Sequence, residues 1–64
     1  MNTLKTVTTQ TTKIELLADE TGAIVRTHTY NDETGKFEHD ESYGSPHLID
    51  CEIEFDMQIF FLLK

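Results

Sequence analysis

The chain of 64 residues contains 12 acidic and 5 basic residues, which gives a formal net charge of −7. A chain of this length forms one small domain with a marginal core, and its one cysteine excludes an intramolecular disulfide. The acidity disfavours direct binding to DNA or RNA and favours attraction to a basic protein surface.

The two ends of the sequence predict a cytoplasmic protein. The threonine-rich opening lacks the apolar segment of a secretory signal. The apolar run at 59–63 is far shorter than the ~20 residues that cross a bilayer. In a reducing compartment Cys51 is expected to be a free, buried thiol.

The first two thirds of the sequence predict three strands. Residues 3–18 favour one long strand, because they are rich in β-branched and aliphatic side chains and lack Gly and Pro. Its beginning, residues 1–11, is expected to fray or to overhang the sheet. Residues 23–30 and 36–43 predict the second and third strands. The tetrapeptide Asp-Glu-Thr-Gly, at 19–22 and again at 32–35, predicts the same hairpin turn twice.

The register of the middle hairpin has two solutions. A four-residue loop pairs His28 with His39 and places an aromatic pair next to the turn, which favours this register. A three-residue loop with a glycine bulge pairs Thr27 with Glu41 and suits the turn residues better. Because a slip of one residue exchanges the two faces of a strand, the sequence leaves open which side chains share a face.

The last third of the chain predicts a fourth strand at 49–63. Every odd position in this range is apolar, and the even positions begin with four carboxylates and a glutamine. Alternation with a period of two is typical of a strand that has one apolar and one polar face. The end of this segment is apolar on both faces and predicts self-association through Phe60, Phe61, Leu62 and Leu63.

Together these elements predict an all-β fold in one domain, residues 1–64. The expected architecture is a small four-stranded antiparallel sheet, built as a meander of hairpins with long outer strands. Both outer strands would project from the same end of the sheet, where they close on one another or pair with a second chain. We expect a homodimer formed through an outer strand or through the projecting ends.

Pairing of the third and fourth predicted strands would place six carboxylates on one face of the sheet. These belong to Glu38, Asp40, Asp50, Glu52, Glu54 and Asp56. Two rows of carboxylates at alternate strand positions provide about one charge per 3.3 Å, close to the charge spacing along one DNA strand. A solvated edge that is charged to block aggregation would have the same composition.

In size, acidity and lack of catalytic motifs, the chain resembles the small phage proteins that inhibit host DNA-handling enzymes, such as anti-restriction and anti-CRISPR inhibitors. The resemblance is one of composition and transfers no residue roles. It implies a non-enzymatic inhibitor whose acidic face occupies a basic nucleic-acid-binding surface of a partner protein. The alternative function is a small assembly or adaptor module that binds through its apolar C-terminal strand, with the acidic face serving solubility.

The sequence predicts no catalytic residues, no cofactor and no metal site. Ser45, His47 and Asp50 are too close in sequence to be a convincing catalytic triad, and one thin sheet offers no substrate pocket. The histidines and the cysteine match no zinc-finger spacing. A cross-strand pair of His28 and His39 that tunes stability near neutral pH is the simpler interpretation, and a metal-dependent module around the histidines is a third possible function.

Overall fold

The computed structural model describes residues 1–63. Its elements are β1 (Asn2–Thr8), β2 (Thr12–Asp19), β3 (Gly22–Asn31), β4 (Lys36–Ser45) and α1 (Leu48–Leu62). The strands form one antiparallel sheet in the order β1-β2-β3-β4. The predicted four-stranded antiparallel sheet is therefore confirmed, and the predicted all-β class holds only in outline, since one predicted strand is divided into two and another is a helix. The predicted domain also includes Lys64, which lies outside the described residues.

The segment predicted as the fourth strand forms the helix α1, so the prediction of a strand at 49–63 is wrong. An inner row of apolar side chains faces the sheet and consists of Cys51, Phe55, Ile59 and Leu62. An outer row faces solvent and consists of Ile49, Ile53, Met57 and Phe60. Residues spaced by three or four lie along one side of a helix. Because the two rows are offset by two residues, together they imitate the alternation of a strand.

The helix begins directly after the last strand, at a turn organised by Ser45. The Ser45 hydroxyl accepts the backbone N–H of His47 at 3.1 Å and donates to the Asp50 carboxylate at 2.9 Å. His47, the residue before the first helical turn, has an extended backbone. The negative charge of Asp50 in the first turn is favourable beside the positive end of the helix dipole. These contacts fix the direction in which α1 leaves the sheet.

The predicted long first strand is divided into β1 and β2 by a turn at residues 9–11. The Thr9 hydroxyl accepts the backbone N–H groups of Thr11 and Thr12 at 3.3 and 3.1 Å, and the Thr9 N–H donates to the Thr12 carbonyl at 2.8 Å. A threonine hydroxyl thus takes the role that Asn, Asp or Gly usually has in turns. The strands are only 7 to 10 residues long, so the predicted long outer strands are also wrong.

The two Asp-Glu-Thr-Gly segments form different turns, contrary to the prediction. Asp19 pairs with Gly22, which leaves a two-residue loop, whereas Asn31 pairs with Lys36 around a four-residue loop. A Cβ atom at position 22 would lie 2.8 Å from the Ser45 carbonyl oxygen. Because the end of β4 comes this close, position 22 requires glycine. This contact distinguishes the first Asp-Glu-Thr-Gly turn from the second.

The β3–β4 hairpin combines both predicted registers. Next to the turn, the pairing follows the four-residue loop and aligns His28 with His39. Further along, Thr27 pairs with Glu41 as in the alternative register, because Asp40 is left unpaired in a bulge. The bulge changes which side of the sheet the subsequent residues of β4 face.

The core lies between α1 and one face of the sheet. Its six members, each at most 2% exposed, are Ile14, Leu16, Ala23, Val25, Cys51 and Phe55. Val7, Ala18, Ile59 and Leu62 pack around them. The burial of Cys51 is as predicted, but the residue reaches the core from a helix. Within residues 1–63, no helix is long and apolar enough to cross a membrane.

Candidate functional site

The six carboxylates predicted to share one sheet face lie in three places. Glu38 and Asp40 are on β4, Asp50 and Glu54 are on one flank of α1, and Glu52 and Asp56 are on the opposite flank. The prediction of a double row on neighbouring strands is wrong, because the second row belongs to a helix. Helical spacing separates residues that alternation in a strand would have aligned.

Glu38 and Asp40 are held in place by polar side chains of β3. The Asn31 amide donates a hydrogen bond to Glu38 Oε1 at 2.7 Å, and the Thr29 hydroxyl donates to Asp40 Oδ2 at 3.0 Å. Both acidic residues remain exposed to solvent. The two carboxylates are therefore oriented by neighbours while still accessible to a partner.

These carboxylates belong to a shallow hollow of about 480 Å³ beside the β3–β4 turn, called here the acidic hollow. It is lined by Thr29, Tyr30, Asn31, Asp32, Glu33, Glu38, His39 and Asp40. Four of these side chains are carboxylates and none is a lysine or arginine. Lys36, the nearest lysine in sequence, is not among the lining residues, although it pairs with Asn31, which is. Such a lining suits the head group of a lysine or arginine side chain.

Further carboxylates continue from the acidic hollow toward α1. The Thr27 hydroxyl donates to Gln58 Oε1, and the Gln58 amide donates to Glu54 Oε2 at 2.8 Å. Thr27 also pairs with Glu41, and it projects from the same side of β3 as Thr29. The side of the sheet on which α1 packs thus carries, beyond the helix itself, a set called here the acidic surface: Glu38, Asp40, Glu41, Asp50 and Glu54.

The solvent-facing side of α1 is a second candidate surface, called here the outer ridge. It consists of Ile49, Ile53, Met57, Phe60 and Phe61, which are 50% to 65% exposed. Among the residues predicted to self-associate, Leu63 is exposed as well, whereas Leu62 packs against the core. A helix that is apolar on two opposite sides is typical of a helix covered on both.

The open face of the sheet carries the two histidines of the middle hairpin. Their rings meet edge to face at a centroid distance of 5.5 Å, and His28 pairs with His39 as in the register with the four-residue loop. His28 Nε2 also lies 2.7 Å from Glu15 Oε1. Within residues 1–63, no group of three or more His, Cys, Asp or Glu residues is arranged to hold a metal ion.

The Cys51 thiol is unsuited to nucleophilic chemistry. The residue is 0% exposed, and burial raises the pKa of its thiol, an effect that the charges of Asp50 and Glu54 increase. The thiol therefore stays protonated near neutral pH, whereas the thiolate is the reactive form. Nothing about this residue suggests a role beyond filling the core.

Three residues of the acidic hollow and the acidic surface were not predicted from the sequence to belong there. Asp32 and Glu33 were interpreted only as turn residues, although they line the hollow. Glu41 was expected on the side of Phe37 and His39, and the bulge at Asp40 places it on the side of Glu38 instead. Asp32 and Glu33 could have been identified from the sequence, because they lie in the turn that leads into the strand that carries Glu38.

Comparison of the chain with protein-family models, with curated proteins and with solved structures found no match. The geometry of the acidic hollow, the acidic surface and the outer ridge is therefore the basis for assigning a function.

Proposed function

We propose that the protein is a non-enzymatic acidic binding protein that inhibits a partner protein by occupying its basic nucleic-acid-binding surface. The acidic hollow is the observation that carries this proposal. Glu38 and Asp40 are fixed there by Asn31 and Thr29, beside two further carboxylates from the turn. A lysine or arginine side chain that enters the hollow meets acceptors already in place.

The orientation of these carboxylates favours binding for a physical reason. Ordering a free side chain at an interface costs about 0.5 to 1.5 kcal/mol, and Glu38 and Asp40 are already restrained by hydrogen bonds. Hydrogen bonds between charged groups are about twice as strong as neutral ones. The net charge of −7 adds a field that accelerates association with a basic surface.

The remaining carboxylates extend the contact beyond one basic side chain. Glu41 on β4 and Glu54 on α1 continue the acidic surface from the hairpin to the first turns of the helix. A partner surface shaped for a nucleic-acid backbone presents several basic residues in a row. The acidic surface engages several of them together, as successive phosphates do, so binding is expected to weaken steeply as salt is added.

Two double variants that each remove two negative charges test the proposal. Immobilised protein is expected to retain basic proteins from a cell lysate at about 50 mM salt, and to release them at about 500 mM salt or when duplex DNA is added. Glu38→Gln with Asp40→Asn is expected to weaken this retention by about tenfold or more. Glu52→Gln with Asp56→Asn, on the far flank of α1, is expected to weaken it less than about threefold.

Two outcomes would contradict the proposal. Equal losses for the two double variants would show that net charge alone matters and that the acidic hollow has no special role. Retention that duplex DNA does not displace would show that the bound surface is not a nucleic-acid-binding one.

A second candidate function is favoured by the outer ridge, whose apolar side chains are at least half exposed. In that case the protein is an adaptor module that binds a foreign apolar surface, and the carboxylates serve solubility. Phe60→Asp would then abolish retention of the partner, while neutralising Glu38 and Asp40 would leave it unchanged.

A further inference from the structure

The outer ridge runs along the whole solvent-facing side of α1. The helix has 15 residues and is therefore about 22 Å long. Its exposed side chains at 49, 53, 57 and 60 follow helical spacing and form one continuous stripe. Soluble monomers seldom expose apolar stripes of this kind, and such stripes commonly mark protein interfaces.

We infer that the outer ridge is covered by the outer ridge of a second copy of this chain, packed antiparallel. The distribution of charge along α1 supports this occupant. All four carboxylates of the helix lie within residues 50–56, and residues 57–62 carry no charge. Antiparallel packing about an axis near Phe55 places Asp50 and Glu52 of each helix beside the uncharged half of the other, and leaves only Glu54 and Asp56 near carboxylates of the other copy. Parallel packing would align the acidic halves, which repel one another.

The apolar residues fit the same arrangement. When the two-fold axis passes between Ile53 and Met57, Ile53 of one copy meets Met57 of the other, and Ile49 meets Phe61. A large side chain at one end of the ridge thus opposes a smaller one at the other end. Contacts in which residue i meets j and j meets i are those of a self-complementary two-fold interface.

The size and charge of the surface predict a weak dimer with an unusual response to salt. One helix stripe buries less than the roughly 800 Å² per partner of a standard interface, so we expect dissociation constants of about 10 to 100 μM. Each copy carries a net charge of −7, and salt screens the repulsion between copies. The dimer is therefore strengthened by salt, whereas binding of a basic partner to the acidic surface is weakened by it.

Sedimentation equilibrium on the full chain tests the inference, at about 10 μM to 1 mM protein and at about 50 and 500 mM salt. We expect the mass of a dimer at the higher protein concentrations, with tighter association at the higher salt. Met57→Asp is expected to remain monomeric throughout. The control Leu4→Asp makes the same change in charge at a residue of equal exposure, 50%, on β1, and is expected to dimerise like the unaltered chain.

Any one of three results would overturn the inference. These results are a monomer at the highest protein and salt concentrations, dimerisation of Met57→Asp to the same extent as Leu4→Asp, or weaker association at high salt. Circular dichroism confirms that each variant is folded before it is compared. Failure here would leave the proposed function standing, since partner binding is measured on variants of the acidic surface.

Disulfide trapping tests the direction of packing. A mixture of Ile53→Cys and Met57→Cys chains is expected to form mixed disulfides, under mild oxidation, in preference to disulfides between identical chains. Preferential linkage of each variant to itself would indicate parallel packing and would overturn the antiparallel arrangement. The native Cys51 is buried and stays outside this reaction.

Discussion

Replacing Phe55 with alanine is expected to remove a large part of the protein's unfolding free energy at 25 °C. Phe55 is 2% exposed and packs with Leu16 and Val25 between α1 and the sheet. Removing a buried phenylalanine side chain costs about 3 to 5 kcal/mol, and a domain of this length has an unfolding free energy of about 3 to 10 kcal/mol. Urea unfolding followed by circular dichroism measures the loss.

The matched control is Phe60→Ala, five residues further along the helix. Phe60 is 64% exposed, so at concentrations where the chain is monomeric its truncation is expected to change the unfolding free energy by less than about 0.5 kcal/mol. Equal destabilisation by the two substitutions would mean that α1 does not have one inner and one outer side.

Replacing Ile53 with proline is expected to destabilise the protein by about 3 kcal/mol or more. Ile53 lies in the middle of α1 and is 53% exposed. Proline there removes a backbone hydrogen bond and clashes with the preceding turn. Because the side chain is exposed, little packing is lost and the effect reports on the helical backbone. The change in the urea midpoint measures it.

Ile53→Ala serves as its control and also distinguishes a helix from a strand. On the exposed side of a helix, alanine is expected to be neutral or slightly stabilising, since it has the highest helix propensity. In the strand predicted from the sequence, the same residue belonged to the core, where its truncation would cost about 2 to 5 kcal/mol. A large loss for Ile53→Ala would contradict the helix.

The largest error of the sequence prediction has a simple geometric origin. Successive apolar residues at 51, 53, 55 and 57 belong alternately to the inner and outer sides of α1. Positions two apart lie about 200° apart around a helix, which is nearly opposite. A helix that is apolar on both sides therefore has the same alternation as a strand, and periodicity alone does not distinguish them.

The lengths of the two wrongly predicted strands could have revealed both errors. The predicted strands at 3–18 and 49–63 are longer than the usual 3 to 10 residues, whereas 15 residues is ordinary for a helix. The break in the first of them was hidden because its turn uses the hydroxyl of Thr9 in place of glycine or asparagine. The middle hairpin, with conventional turn residues, was located correctly.

The sequence predicted only the part of the candidate site whose residues lie close together on one strand. Glu38 and Asp40 were identified from their alternation on one strand, and they do lie together on β4. Their association with Asp32 and Glu33 depends on the four-residue turn, and the position of Glu41 depends on the bulge at Asp40. Turn and bulge geometry arise from backbone pairing, which the residue pattern left undecided.

The two proposed surfaces respond oppositely to ionic strength, which allows them to be studied in one protein. The acidic surface binds by charge and is expected to release its partner as salt rises. The outer ridge binds by apolar contact and is expected to associate more tightly as repulsion between copies is screened. A dimer joined through α1 would carry two acidic surfaces, and its avidity would then depend on the salt concentration.

The most direct test of the central claim, that the acidic hollow binds basic side chains, is to titrate isotope-labelled protein with a short arginine-rich peptide and to follow the backbone amide resonances. We expect the changes to concentrate at residues 29–41, which contain the lining of the hollow, and to disappear at about 500 mM salt. Changes confined to residues 49–61, or spread evenly over all acidic residues, would contradict the claim.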